Sequence, residues 1–281
     1  MRAFLYLIRY PNLILIVLSQ ALVQACLLSG GMNWGRVLEP SFLLLSLSTV
    51  FIAAAGYIIN DYYDVKIDAI NKPGKLVVGT VIRRRPAMFA HLVLSVAGVM
   101  IGLLLYLPIG LINLGAVLLL WGYSARLKKL PLIGNVVVAL LSASMLLVVA
   151  VYANTLNRIT LGYALFAFLI SLIREIIKDM EDMKGDASFD CRTLPIVLGI
   201  RNAKFIVYPV IAAFLAFLLV VVLHPRTAWW FDVYMLVLVL VPAIWLTIKL
   251  ARADRKRDFT YLSNLNKFIM FTGILSMLLV G

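Results

Sequence analysis

Nine of the 13 acidic residues fall in two short stretches. The first is Asn60-Asp61-Tyr62-Tyr63-Asp64-Val65-Lys66-Ile67-Asp68, and the second runs from Glu175 to Asp190. Asp61, Asp64 and Asp68 are spaced i, i+3, i+7, and Asp179, Asp182 and Asp186 repeat that spacing. In a helix, such a trio projects within about 60° of one direction, so each stretch presents a carboxylate stripe. Glu175 joins the second stripe. Like charges on successive turns repel, and something must compensate them. Mg²⁺ is suited to this, because it binds through one or two carboxylates and takes its other ligands from waters and substrate phosphates. Two facing stripes could hold two or more such ions and clamp a diphosphate.

The elements that must carry these stripes are membrane helices. The chain has 281 residues, of which 63% are apolar and 14% charged, with a mean hydropathy of +1.01. Soluble domains have roughly 45–50% apolar and 25% charged residues, which excludes an ordinary cytosolic enzyme, a coiled coil and a disordered chain. Stretches of about 20 apolar residues, enough to span hydrocarbon, occur near 13–32, 41–60, 87–106, 108–124, 133–153, 159–177, 205–223, 229–249 and 265–280. The expected fold is an all-α, multi-pass membrane protein of nine helices around a central cavity. Of the 26 Lys and Arg, only Arg36, Arg158 and Arg226 fall in odd-numbered loops. Basic residues collect on the cytoplasmic side, so the N-terminus is expected inside, the C-terminus outside, and both stripes at the cytoplasmic face. The net charge of +13 then reflects topology and contact with anionic lipid, not nucleic acid. The first apolar stretch is too long for a signal peptide and reads as a retained span. Cys26, in an apolar run, and Cys191, in a polar loop, give no disulfide framework.

The stripes are related by one offset: Asp61, Asp64 and Asp68 each lie 118 positions before Asp179, Asp182 and Asp186, as Arg83 does before Arg201. Asn12, which opens the first span, roughly answers Asn135, which opens the fifth. The expected organisation is one domain, 1–281, made of parallel pseudo-repeats of four helices each, about 1–118 and 119–236, plus a ninth helix.

An apolar, lipid-facing cavity with a metal-clamped diphosphate at its mouth suits an isoprenyl diphosphate. Cations and metals stabilise departing pyrophosphate, and an intramembrane cavity shields the allylic cation from water. Lys72, Lys75, Lys128 and Arg192 follow the stripes or the fourth span and could complete the diphosphate site. Arg174 and Lys178 flank the second stripe, where they could neutralise it or receive a second anionic substrate. His91 and His224 fall at span ends away from both stripes.

Asn60-Asp61-x-x-Asp64-x-x-x-Asp68 and Asp179-x-x-Asp182-x-x-x-Asp186, with Tyr123-Ser124…Leu127-Lys128, Pro131-Leu132-x-Gly134-Asn135 and Arg192-Thr193-Leu194-Pro195, resemble the UbiA superfamily of intramembrane prenyltransferases across essentially the whole chain. The resemblance implies Mg²⁺-dependent transfer of a prenyl chain from its diphosphate to an acceptor, with release of pyrophosphate. It implies Asp61, Asp64, Asp179 and Asp182 as metal ligands, with Asp68 and Asp186 completing the site. It also implies Asn60, Lys72, Lys75, Lys128, Arg192 and Asn12 around the diphosphate, and Tyr123 beside the cation or the diphosphate. Asp68-x-x-Asn71-Lys72-Pro73 and Arg174-Glu175-Ile176-x-Lys178-Asp179-x-Glu181-Asp182 are most similar to enzymes that add geranylgeranyl to geranylgeranylglyceryl phosphate, an acceptor that Arg174 and Lys178 would suit. Lys75-Leu76-Val77-Val78-Gly79-Thr80 lacks the prolines usual in that group, and an aromatic acceptor of quinone synthesis is the alternative. A lipid or ion transporter would place its acids nearer the middle of the bilayer.

Overall fold

The computed structural model describes residues 2–28, 31–71, 74, 76–224 and 229–280. Among the described residues there is one isolated bridge, Val78–Ile82, and otherwise the regular structure is helical. Nine helices of the described residues are long and apolar enough to cross a membrane. They are α1 (Tyr10–Leu27), α2 (Pro40–Asn71), α3 (Arg84–Leu105), α4 (Leu107–Ala125), α5 (Ile133–Tyr152), α6 (Arg158–Ala187), α7 (Leu194–Val222), α8 (Trp229–Ala251) and α9 (Lys256–Leu279). A short helix, Arg2–Leu7, precedes α1.

Each expected span corresponds to one helix, and four helices run well beyond the apolar stretch. α2 and α6 have 32 and 30 residues, or about 48 and 45 Å at 1.5 Å per residue. The hydrocarbon core is about 30 Å thick. The surplus, roughly three turns, carries the acid motif in both helices. Asp61 stands 21 positions after Pro40, and Asp179 stands 21 positions after Arg158. α9 begins at Lys256 rather than near 265, and α7 begins at Leu194 rather than near 205. The early start of α7 is a separate turn: Gly199 interrupts it at φ 80°, ψ 159°, a conformation open to glycine and strained for any other residue.

Lipid is as apolar as leucine, so tight packing and polar ties hold such helices together. α2 packs along α3, α5 along α6, and α6 also along α7 and α9, while α2 and α6 touch directly. Ile170, Ile173, Phe214, Leu246 and Ile269 lie in one core, which joins α6 to α9. Leu22, Phe42, Leu45, Leu146 and Val149 lie in a second, where α1, α2 and α5 meet. Gln20 Nε2 donates to Thr49 Oγ1 and to the Met145 carbonyl, both at 3.0 Å, and so ties α1 to α2 and α5. Tyr163 and Ser276 hydroxyls, 2.7 Å apart, tie α6 to α9.

Candidate active site

The last turns of α2 present the first stripe, with Asp61, Asp64 and Asp68 all half-buried. Arg9, in a left-handed turn (φ 52°) ahead of α1, places Nη2 2.8 Å from Asp61 Oδ1. Its guanidinium also covers the Tyr57 ring at 4.9 Å. Burial opposes the charge on Arg9, and Asp61, Tyr57 and Asp68 together more than offset it, so its pKa lies above the ordinary arginine range. Lys128, from the single 3₁₀ turn Leu127–Lys129 between α4 and α5, donates to Asp64 Oδ1. Both side chains of that pair are largely enclosed, at 11% and 14% exposure.

On α6, Asp179, Asp182 and Asp186 are also half-buried. Asn135, buried in the first turn of α5, donates from Nδ2 to Asp179 Oδ2 at 2.8 Å. Asp186 feels the charges of Asp182, Asp64, Lys178 and Lys128. The two stripes therefore share one electrostatic site. Tyr123 on α4 faces the same site, within the fields of Glu175, Asp179, Asp64 and Arg9.

Backbone ties fix how the two helix ends meet. Asn71, the last residue of α2, accepts the Gly185 N–H of α6 through its side-chain Oδ1 at 2.9 Å. A Cβ at position 185 would lie 2.5 Å from the Asn71 amide atoms, so only glycine permits this approach. Lys256 Nζ, at the start of α9, caps the Asn71 carbonyl at 2.9 Å. The Arg192 N–H donates to the Lys129 carbonyl at 2.8 Å and joins the loop after α6 to the loop after α4.

The expected site residues divide as follows. Asp61, Asp64, Asp68, Asp179, Asp182, Asp186, Lys128 and Tyr123 come together as one group, with Asn60 half-buried next to Asp61. Arg174 and Lys178 both sit on Glu175. Arg192 and Asn12 are exposed, and the Asn12 N–H bonds the Arg9 carbonyl at 2.8 Å. Lys72 and Lys75 lie outside the described residues. Cys26 and Cys191 are free thiols, and burial pushes the Cys191 thiol up.

Sequence reasoning missed Arg9, Asn135, Asn71 and Lys256. The Asn12–Asn135 correspondence was a usable signal for Asn135, although only Asn12 was drawn from it. Arg9 had no such mark, since it reads as one more topology charge. Among the described residues, no three His, Cys, Asp or Glu side chains form a ready-made metal cage. Half-buried carboxylates spread over two helices suit an ion that shares its shell with waters and phosphate oxygens, as Mg²⁺ does.

Nine helices among the described residues that are long and apolar enough to span, two of them bringing carboxylate stripes into one site, define a multi-pass membrane protein with a cation-binding set of side chains. The sequence profile of the UbiA prenyltransferase family matches residues 17–272; the chain belongs to that family and is an intramembrane prenyltransferase. A relative from Pyrococcus horikoshii, named digeranylgeranylglyceryl phosphate synthase, is 41% identical over 165 residues, 58% of this chain and 59% of its own length. Another of that name, from Methanospirillum hungatei, is 34% identical over 244 residues, 86% of this chain and 83% of its own. The structure of a UbiA homologue from Archaeoglobus fulgidus bound to DMAPP and Mg²⁺ superposes with a TM-score of 0.65 at 18% identity, covering 98% of each chain.

Proposed function

We propose that this chain transfers a geranylgeranyl group from its diphosphate to the free hydroxyl of geranylgeranylglyceryl phosphate, releasing pyrophosphate, at the cytoplasmic face of the membrane. The carrying observation is the shared electrostatic site: Lys128 on Asp64, with Asp186 in the field of both. The names of the two archaeal relatives support the acceptor, and the ligands of the A. fulgidus homologue support Mg²⁺ and a prenyl diphosphate.

Asp61, Asp64, Asp179 and Asp182 would hold Mg²⁺, with Asp68 and Asp186 completing the site. Bound Mg²⁺ supplies charge neutralisation to the leaving pyrophosphate. Lys128 and Arg9 would bring further positive charge to the same oxygens, joined by Lys72, Lys75 and Arg192, while Asn60 and Asn12 would offer amide N–H donors. The allylic C–O bond breaks with its electron pair on pyrophosphate. The acceptor oxygen bonds to that carbon, and the hydroxyl proton passes to the carboxylate cluster. Tyr123 faces the region where positive charge develops, and the surrounding helices keep water from it.

The basic loops set the orientation: N-terminus and active site cytoplasmic, C-terminus outside. The equal placement of Asp61 and Asp179 along α2 and α6 supports two parallel pseudo-repeats, about 1–118 and 119–236, within one domain.

The test is pyrophosphate release by the purified protein with geranylgeranyl diphosphate and Mg²⁺. Geranylgeranylglyceryl phosphate, 4-hydroxybenzoate and 1,4-dihydroxy-2-naphthoate are offered separately. Release with the glycerophosphate alone is expected, reduced at least 100-fold in Asp64→Ala and Asp182→Ala, as for loss of a group that stabilises transition-state charge. Turnover of an aromatic acceptor instead would move the enzyme to quinone synthesis. Prenyl diphosphate moved across the bilayer without pyrophosphate release would make it a transporter.

A further inference from the structure

Arg174, Glu175 and Lys178 lie on α6 on the membrane side of the second stripe. Glu175 is buried, at 7% exposure. It takes a different cation on each oxygen: Arg174 Nη1 at 2.5 Å on Oε1 and Lys178 Nζ at 4.0 Å on Oε2. Two cations are thus held on one carboxylate inside a spanning helix, where charged groups are costly and mark function. Arg174 carries five N–H donors and Lys178 three. Their side chains stay 22% and 28% exposed, so donors remain that Glu175 does not use.

The group adjoins the reacting centre. Lys178 reaches the fields of Asp179 and Asp186, and Tyr123 across the site feels Glu175 and Asp179. Arg174 stands about 7.5 Å along the helix from Asp179, at 1.5 Å per residue, toward the membrane interior. A second, independent feature points to a polar ligand at this level. Ser171, one turn deeper on the Glu175 face, is 3% exposed, and its hydroxyl has no hydrogen-bond partner. Buried hydroxyls are ordinarily bonded.

A diphosphate clamped by the two stripes puts its allylic carbon at their membrane edge. The acceptor hydroxyl must arrive there. In a glycerophosphate the phosphate hangs two carbons from that hydroxyl, so it falls at the level of Arg174 and Lys178. We propose that Arg174 and Lys178 form the phosphate subsite of a lipid phosphomonoester acceptor, resting on the ether-lipid reading above. Glu175 is the internal anion that holds the two cations in place until the phosphate takes its position. A guanidinium and an ammonium four residues apart on one face match a dianionic headgroup: the first gives a planar fork, the second a point charge.

The test compares two acceptors on the full-length protein in nanodiscs: geranylgeranylglyceryl phosphate and its dephosphorylated alcohol. Arg174→Gln and Lys178→Gln are expected to raise the KM for the glycerophosphate about 10- to 100-fold, the range for a lost charge-assisted bond. The KM for the prenyl diphosphate, and turnover of the neutral alcohol, should stay within about twofold. The double variant Arg174→Gln/Glu175→Gln keeps the net local charge and guards against misfolding from an uncompensated Glu175. It should show the same selective loss, and Arg174→Lys should restore part of it. Calorimetric binding of the glycerophosphate without donor should weaken in parallel. Equal losses on both acceptors, or a donor KM that rises in step, would overturn the subsite while leaving the ether-lipid reading intact. A wild-type enzyme that ignores the glycerophosphate sinks both.

Discussion

The two carboxylate stripes have the same spacing and the same position along their helices, and their charge is handled differently. The α2 stripe is met by cations from distant parts of the chain: Arg9 on Asp61 and Lys128 on Asp64. The α6 stripe meets a neutral amide, Asn135 on Asp179, and the two cations nearest it on α6 both contact Glu175. The described partners of the two stripes therefore differ in kind: a guanidinium and an ammonium on Asp61 and Asp64, an amide on Asp179. Equal spacing settles where carboxylates point and leaves open what balances them. It follows that the α2 stripe should govern the diphosphate, through the cations it holds, and the α6 stripe should govern metal demand.

The sharpest break comes at Lys128. Lys128→Ala should lower kcat/KM for the prenyl diphosphate by about 100-fold, since it removes a cation from the leaving group and leaves Asp64 enclosed without its partner. Steady-state kinetics at saturating Mg²⁺ check this. A loss confined to the acceptor KM would remove Lys128 from the diphosphate side.

Next in size is the joint between the stripes. Asn71→Ala removes the acceptor for the buried Gly185 N–H, which costs about 1–3 kcal/mol when the donor is left unmet. Thermal unfolding in detergent should show a midpoint lower by several degrees. Activity should fall further than stability predicts, because the spacing of the two stripes loosens as well.

Asp61, Asp64, Asp68 and their α6 counterparts were legible because acid spacing shows directly in a sequence, and acids beside apolar stretches stand out. The number of spanning helices was legible for the same reason. The helix ends were not. A hydropathy window measures affinity for lipid, so the expected spans stop near residues 60 and 177, while α2 and α6 continue to Asn71 and Ala187. Contacts between residues far apart in sequence, such as Asn71 with Gly185 or Lys256 with Asn71, leave no periodic trace. Arg9 was hidden by a second explanation: topology already accounts for every arginine expected on the cytoplasmic side. Asn135 was visible as half of a repeat and at the end of the Pro131-Leu132-x-Gly134-Asn135 motif, and the half carried forward to the site, Asn12, is the exposed one.

A finer test of the asymmetry uses one variant on each stripe. Arg9→Gln uncovers Asp61 and should lower the Mg²⁺ concentration for half-maximal rate, while raising the donor KM. Asn135→Ala withdraws a hydrogen bond from Asp179 and should raise the Mg²⁺ requirement. Each shift should be about two- to fivefold, corresponding to roughly 0.5–1 kcal/mol for one partly exposed ion pair or one side-chain hydrogen bond. Mg²⁺ titrations that moved the same way in both variants would remove the distinction between a stripe held by cations and one held by an amide.

The smallest expected effects concern α9, which touches the ends of both α2 and α6 from its first two turns. Lys256 caps the α2 terminus at the Asn71 carbonyl, a charged contact at a helix C-terminus worth about 0.3–1 kcal/mol. Thr260 Oγ1 lies 2.8 Å from Glu181 Oε1 on α6 and has an alternative acceptor in its own helix, the Lys256 carbonyl at 3.1 Å. Lys256→Met should therefore lower the unfolding midpoint by one or two degrees, and Thr260→Val by less. In Thr260→Val, Glu181 stays partly exposed and can turn to water, whereas the α2 terminus in Lys256→Met loses a cation that stands opposite its dipole. If Thr260→Val proved the more damaging, α9 would be bracing the α6 stripe rather than the α2 stripe. The α6 site would then depend more on its neighbour for position than on its own helix.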